Sequence, residues 1–234
     1  AALRAIPVQG GWDDPGRFFV WRTRLDEIMP EPEMRTECLP ADREGVIKAA
    51  ALLKSGSLAV FPTETVYGLG ASALDAKAVS GIFKAKGRPA DNPLIVHVKN
   101  AEDAAKCGKW NALAEKLARV FWPGPLTLIV GRRDAIPPEV SAGLDTVALR
   151  APAHPAAQAL LQACGLPVAA PSANQSGKPS PTTARHALDD LNGRVPLVLD
   201  GGPCMVGLES TVADARGEFP LILRPGAVTP EMLA

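Results

Sequence analysis

The stretch Lys84–Val98, KAKGRPADNPLIVHV, contains the end of a predicted helix, a loop with two prolines and a predicted strand. This helix-to-strand connection is one step of the alternation that predicts the fold. Lys84 and Lys86 fall in the last helical turn, where cations interact favourably with the helix dipole. Gly87 then provides a helix stop. A solvated helix end therefore explains the two lysines, but it leaves Arg88, beyond the stop, without an explanation.

The loop after this helix stop has few backbone conformations available to it. Its two prolines fix two backbone angles, and the residues between them have little helix or strand propensity. A stiff loop of this kind presents Lys86, Arg88 and Asn92. The planar fork of an arginine and the point charge of a lysine both suit phosphate groups. The segment therefore favours an anion site, with an ordinary solvated helix end as the alternative.

On either side of this stretch, helical and strand patterns alternate. Helices are predicted, from apolar residues at helical spacing, in residues 41–56, 75–87, 111–122, 154–165 and 182–193. Strands are predicted, from short apolar runs, in residues 57–64, 93–98, 126–130, 146–152, 167–172 and 196–202, with a late strand pair in residues 210–215 and 220–226. The alternation predicts an α/β fold with a mixed sheet.

The composition limits the classes of function. Lys+Arg and Asp+Glu are equal at 25 each, which argues against a protein held to nucleic acid by bulk charge. Aromatic residues make up 5%, so a stacking surface for single-stranded nucleic acid is not expected. The four cysteines lack metal-finger or CxxC spacing and are predicted to be buried free thiols. Without a membrane-length apolar run or a signal-peptide pattern, we expect a cytoplasmic protein with no membrane contact.

The first 33 residues differ from the rest of the chain. They mix turn residues, aromatics and acids without sustained periodicity, and they end in a Pro/Glu cluster. We interpret residues 1–33 as an N-terminal extension that is partly ordered at best. One folded domain is predicted to follow over residues 34–234.

Ala170–Thr182, APSANQSGKPSPT, is a second candidate site because it leaves a predicted strand end, where open α/β sheets place ligands. Its small residues let a ligand approach the backbone, and its serines and asparagine offer hydrogen bonds. It is not a P-loop, since Pro179 follows Gly177-Lys178 where Ser or Thr is required. It also lacks the Gly-x-Ser-x-Gly elbow of hydrolases. An ordinary Ser/Pro/Gly turn is the alternative.

Four further segments place polar residues near predicted strand ends. Phe61–Gly70, FPTETVYGLG, contains a lone Gly-x-Gly, which is weak evidence for nucleotide binding. His97 alternates with apolar residues in LIVHV, so a structural histidine is the alternative to a ligand-binding one. GLESTV and LRPG place Ser210 and Arg224 at late strand ends, where either residue alone is unremarkable.

Six segments, in their order along the chain, resemble the YrdC-like family and, within it, the threonylcarbamoyl-AMP synthases. They are FPTETVYGLG, KAKGRPADNPLIVHV, WPGPLTLIV, VALRAP, APSANQSGKPSPT and GLESTV with LRPGAV. The resemblance covers about Asp42 to Val228, and its most specific part is Lys-x-Arg followed by Ser-x-Asn. It implies the YrdC-like fold, a twisted mixed β-sheet with flanking helices and a deep concave active-site face.

The resemblance also implies an activity. Enzymes of this kind convert L-threonine, bicarbonate and ATP into threonylcarbamoyl-AMP and pyrophosphate, with Mg²⁺ accompanying ATP. A downstream threonylcarbamoyl transferase complex then modifies an adenosine of certain tRNAs to N6-threonylcarbamoyladenosine. Direct contact of this chain with tRNA is left open.

Residue roles follow from the resemblance position by position. It implies that threonine is bound by Thr65, His97, Arg150, Ser210 and the backbone at Ala170. It implies that ATP is bound by Arg88, Asn92, Thr146, Ser172, Asn174, Ser180 and Arg224. Lys86 and Arg88 are the expected catalytic residues, because cations stabilise charge on the phosphates as pyrophosphate leaves. No metal is expected to be held by protein side chains.

The resemblance leaves several alternatives open. Longer relatives continue through a linker into a second domain, so the sequence is interpreted as either a short form or a truncated two-domain form. A non-catalytic RNA-binding module on the same concave face is one other function. A carbamoyl-adenylate-forming domain of hydrogenase maturation is another, although this sequence lacks the zinc-finger cysteines expected beside such a domain.

Overall fold

The computed structural model describes residues 34–233. The predicted N-terminal extension over residues 1–33 lies outside the described residues and stays a prediction. Within residues 34–233, no helix combines the length and the apolar character needed to cross a membrane.

Seven helices occur in the described residues, and their ends follow the capping pattern of the sequence. They are α1 (Arg43–Lys54), α2 (Ala76–Lys86), α3 (Ala101–Cys107), α4 (Ala112–Phe121), α5 (Pro155–Cys164), α6 (Ala184–Leu191) and α7 (Pro230–Leu233). The side chains of Asp42 and Asp75 accept backbone N–H groups at the starts of α1 and α2. Gly87 and Gly165 are left-handed after α2 and α5, as the predicted helix stops require.

Eleven strands within residues 34–233 form one mixed sheet. They are β1 (Glu37–Pro40), β2 (Ala59–Phe61), β3 (Gly68–Ser72), β4 (Ile95–His97), β5 (Gly108–Lys109), β6 (Leu126–Arg132), β7 (Thr146–Arg150), β8 (Val168–Ala169), β9 (Leu197–Asp200), β10 (Thr211–Asp214) and β11 (Leu221–Arg224). Their order is β1-β9-β2-β3-β8-β4-β7-β6-β10-β11, with β5 beside β6. Strand β7 pairs parallel with β4 and antiparallel with β6, and β10 pairs antiparallel with β11. The predicted mixed α/β fold is confirmed.

The structure contains elements that the sequence pattern did not predict: β1, β3, β5, α3 and α7. Strand β3 matters most for the site, and all five of its residues are buried. Its glycines give it low strand propensity. Crowding explains one of them, because a Cβ on Gly70 would lie 2.9 Å from Val168 Cγ1 and 3.0 Å from the Phe61 ring.

The central strands divide their side chains between the hydrophobic core and the opposite face of the sheet. In β4 and β7, Val96 and Leu149 are fully buried in the main core cluster. Their neighbours His97 and Arg150 are register partners in the parallel ladder. Because side chains alternate along a strand, these two polar residues share the other face. The fold therefore carries its polar site on the central strands.

The cysteine prediction holds only in part. Cys107 and Cys164 are buried free thiols, as predicted, and Cys204 is half-buried. Cys38 is exposed, so the prediction was wrong for this residue. The physical reason is its position on β1, which lies at one edge of the sheet.

Candidate active site

A cavity of about 340 Å³ opens on the face of the sheet that carries His97 and Arg150. Nine of the thirteen predicted site residues line it: Thr65, Arg88, Asn92, His97, Arg150, Ala170, Ser172, Ser210 and Arg224. Thr65, His97, Arg150 and Ser210 are buried and form what we term the buried half. The more exposed residues Arg88, Asn92, Ser172, Glu209 and Arg224 form what we term the rim.

Arg150, at the end of β7, is the fixed charge of the buried half. Its side chain is 4% exposed. Its Nε donates to the carbonyl of Gly124 at 3.2 Å, Nη1 to Thr65 Oγ1 at 2.9 Å, and Nη2 to Glu64 Oε1 at 2.7 Å. Burial lowers the pKa of Arg150, and the Glu64 carboxylate opposes that shift. A guanidinium has five N–H donors, so two remain available to a ligand.

His97 gives the buried half a neutral polar group. The ring meets that of Phe61 edge-on, with centroids 5.7 Å apart. Burial, reinforced by the charge of Arg150, lowers the pKa of His97 to about 3, so the imidazole is neutral near pH 7. Its Nδ1 has no hydrogen-bond partner among the described residues. The backbone groups of Ile95 and Val168 lie close enough to oppose the lowering of this pKa, but neither makes a hydrogen bond of good geometry with Nδ1, which is thus unpaired within residues 34–233 where buried polar atoms are normally paired.

Arg88, at the rim, also has a buried nitrogen without a hydrogen-bond partner in the described part of the chain. Its Nε is buried and has no hydrogen-bond partner among residues 34–233, and Nη2 makes only a 3.5 Å contact with the carbonyl of Pro93. Burial lowers the pKa of Arg88, while the charges of Glu209 and Asp91 oppose this shift. The residue directly follows the Gly87 helix stop, in the loop for which the sequence predicts an anion site. The structure brings that loop to the cavity, next to the Ser172 segment.

Glu209 is a residue of the rim to which the sequence analysis assigned no role. Its Oε1 accepts the Ser180 hydroxyl at 2.7 Å, and its Oε2 pairs with Nη1 of Arg224. Arg224 also donates to the carbonyl of Ser210 at 2.8 Å. The sequence signal that could have indicated Glu209 is its place in GLESTV, where an acidic residue follows an apolar one and directly precedes a predicted strand. Because one carboxylate bridges Ser180 and Arg224, these two groups converge on a single anion-sized position.

Lys86 and Asn174 lie beside the cavity but are not part of its lining. Lys86 is 2% exposed, and its Nζ donates to the carbonyl of Ser172, to the carbonyl of Asn174 at 2.5 Å and to Asn174 Oδ1 at 3.3 Å. Burial lowers the pKa of Lys86 to about 8. Asn174 Oδ1 also accepts the Ser172 hydroxyl at 2.6 Å. The contacts between Lys86 and Asn174 therefore hold the loop that brings Ser172 to the cavity. Direct contact of Lys86 with phosphate stays a prediction.

Thr146 and Ser180 are the remaining predicted residues outside the lining. Strand alternation places Thr146 on the same face of β7 as Ala148 and Arg150, which do line the cavity. Ser180 contacts the rim through its hydrogen bond to Glu209.

Glu209 is the only carboxylate among the described lining residues, and no group of three or more His, Cys, Asp or Glu within residues 34–233 is placed to hold a metal ion.

The chain is similar in sequence to known proteins. The family model for the Sua5/YciO/YrdC domain, described as "Telomere recombination", matches residues 51–226. The threonylcarbamoyl-AMP synthase of Bacillus subtilis is 50% identical over 200 residues, which cover 85% of this chain and 58% of that protein. That of Pyrococcus abyssi is 51% identical over 181 residues, covering 77% and 53%.

A solved structure has the same fold. Pyrococcus abyssi Sua5 complexed with L-threonine superimposes with a TM-score of 0.82 at 47% identity, covering 84% of this chain and 59% of that one. The chain thus spans between half and three fifths of the length of these relatives. The family match extends over about three quarters of its 234 residues. The chain therefore belongs to the Sua5/YciO/YrdC family.

Proposed function

We propose that this chain is a cytoplasmic enzyme that makes threonylcarbamoyl-AMP and pyrophosphate from L-threonine, bicarbonate and ATP. The observation that carries the proposal is the pair of unpartnered buried nitrogens in one lining, Nδ1 of His97 and Nε of Arg88. One belongs to the buried half, a small polar pocket that also holds the guanidinium of Arg150, and the other lies beside an anion-sized position. That combination fits an amino acid and a nucleotide bound side by side.

In the proposed complex, the buried half binds threonine. The two free N–H groups of Arg150 pair with the α-carboxylate, since a guanidinium fork matches a carboxylate bidentately. The hydroxyls of Thr65 and Ser210 and the neutral ring of His97 surround the rest of the amino acid. The backbone at Ala170 closes one side of this pocket.

The rim binds ATP in the same proposal. Arg88 and Arg224 face the phosphates, and Asn92 and Ser172 supply neutral hydrogen-bonding groups. Glu209 contacts both Ser180 and Arg224, and in the proposed complex a phosphate oxygen takes the place of its carboxylate between them. A lining with a single carboxylate fits a magnesium ion that arrives with ATP and is held mainly by phosphates and water. That ion would add charge neutralisation at the phosphates.

The chemistry requires no nucleophilic side chain. The amine of threonine and bicarbonate give a carbamate and water, and a carbamate oxygen then attacks the α-phosphate as the bond to pyrophosphate breaks. The protein contributes positioning of the two substrates and electrostatic stabilisation of the phosphate charge. The mixed anhydride formed would pass to a threonylcarbamoyl transferase that modifies tRNA.

Pyrophosphate release with each substrate omitted in turn tests the proposal. We expect release to require threonine, bicarbonate and ATP together. Release that does not depend on threonine would contradict the proposed reaction. An absence of release in the complete mixture, accompanied by RNA binding, would instead favour the RNA-binding alternative.

A further inference from the structure

Glu64 is a buried carboxylate whose two oxygens are both occupied. Its side chain is 3% exposed. Its Oε1 accepts Nη2 of Arg150 at 2.7 Å, and its Oε2 accepts the backbone N–H of Ala153 at 3.0 Å. Its backbone carbonyl accepts the N–H of Val206 at 2.8 Å. The residue therefore connects the loop after β2, the end of β7 and the loop that precedes β10.

Arg150 depends on such a partner. A buried guanidinium without a counter-charge is strongly unfavourable, and a pair with good geometry and further hydrogen bonds offsets that desolvation. Glu64, Thr65 and Gly124 contact three different nitrogens of Arg150, which fixes the plane of the guanidinium. The plane matters because bidentate binding of a carboxylate requires two parallel N–H bonds. A loosely held guanidinium would attract an anion without orienting it.

We infer that Glu64 is a positioning residue that sets the affinity for the amino acid through Arg150, without touching the substrate. The inference rests on the proposed function, since it takes the α-carboxylate of threonine as the ligand of Arg150. Glu64 is not part of the cavity lining, so a direct contact is not needed. The expected signature is a change in the KM for threonine with the KM for ATP unchanged.

The geometry also explains why the side chain is a carboxylate. An amide has one acceptor oxygen and one donor group, whereas an ionised carboxylate only accepts. In Glu64→Gln, either Arg150 or the N–H of Ala153 therefore faces a donor. We expect the KM for threonine to rise about 10- to 100-fold, the scale of one lost hydrogen bond to a charged group. Glu64→Asp keeps both acceptors on a shorter side chain and should show a smaller increase.

The experiment measures kcat, both KM values and Tm for the wild type, Glu64→Gln, Glu64→Asp and the control Tyr67→Phe. Tyr67 is fully buried in the same segment, and its hydroxyl donates to the carbonyl of Gly202 at 2.6 Å. It does not line the cavity. The control therefore reports the loss of hydrogen bonds made by a buried side chain of the same segment, and we expect a lower Tm with an unchanged KM for threonine.

The outcomes separate positioning from stability. If the two Glu64 variants lower only Tm, as the control should, the inference is wrong. If both variants fail to fold while Tyr67→Phe folds, Glu64 belongs to stability and the inference is also wrong. An inactive wild type would refute the proposed function instead. Titration calorimetry with threonine would then decide. Weaker binding to Glu64→Asp than to the wild type would support the inference, and equal binding to the two proteins, or no binding to the wild type, would overturn it.

Discussion

The buried half and the rim of the cavity hold their charges in different ways. Arg150 is 4% exposed and is fixed by three groups of the protein, one of them the 3% exposed side chain of Glu64. Arg224 is 37% exposed and pairs with Glu209, which is 38% exposed. A buried pair is shielded from water, whereas a half-exposed pair is screened and contributes little to stability. The difference indicates a preformed pocket beside a rim whose ion pair can exchange for phosphate.

The comparison is tested most severely by Arg150→Ala. We expect the free energy of unfolding to fall by about 3–5 kcal/mol, because Glu64 would remain buried without a partner. Chemical denaturation measures the loss, with Arg224→Ala as the matched arginine from the rim. A clearly smaller loss is expected there, since Glu209 can be solvated. Equal losses in the two variants would contradict the distinction between the two regions.

Arg88→Ala tests whether this residue of the rim contributes more to ATP use than to the stability of the fold. We expect kcat/KM for ATP to fall about 10- to 150-fold, equivalent to roughly 1.5–3 kcal/mol for a lost charge-assisted contact. The melting temperature should change little, because the Arg88 side chain makes only one weak hydrogen bond within the described residues, and the backbone bond to Phe83 is kept in the variant. Lys84→Ala removes an exposed cation from the preceding helix turn and is the control. Parallel losses of activity and melting temperature would favour a structural role for Arg88.

His97→Gln tests whether the buried half keeps His97 neutral, through the pH dependence of the unfolding free energy. The pKa of His97 is lowered to about 3, while an unfolded histidine titrates near 6.5. Between these values the unfolded chain binds more protons, so His97 makes the protein less stable as pH falls. From pH 7 to 5, we expect the wild type to lose about 2 kcal/mol more unfolding free energy than the variant. Urea denaturation at both values provides the measurement, and identical losses would mean that His97 is not held neutral.

The smallest expected effect concerns the methyl group of the substrate. A single methyl contact in a pocket is worth about 1–3 kcal/mol, so serine should be a poor substrate and not an inert one. The measurement is kcat/KM for pyrophosphate release with serine and with threonine. Equal values for the two amino acids would show that the buried half does not enclose the side chain as proposed.

Much of the fold was predictable from local signals. The helices predicted in residues 41–56, 75–87 and 154–165 were confirmed, because caps such as Asp42, Asp75, Gly87 and Gly165 depend on residues close in sequence. Strand β3 was not predicted, since glycine-rich segments have low strand propensity. The reason for glycine at position 70 is the close packing of Val168, which is visible only in the folded structure.

The site was less predictable than the fold. The motifs and the family resemblance indicated nine of the residues that line the cavity, but they did not indicate which charges meet. Glu64 and Arg150 are 86 positions apart, and Lys86 contacts Asn174 across 88 positions. Such pairings are set by the topology of the sheet. For the same reason, the sequence did not reveal that Glu209 bridges two of the residues expected to bind ATP.

The central claim is that the two regions bind two different substrates, and a crossed pair of variants tests it most directly. Thr65→Val removes a hydroxyl from the buried half, and Ser172→Ala removes one from the rim. We would measure the KM for threonine and for ATP in both variants. The account predicts that Thr65→Val raises only the KM for threonine and that Ser172→Ala raises only the KM for ATP. Equal changes of both constants in both variants would contradict it.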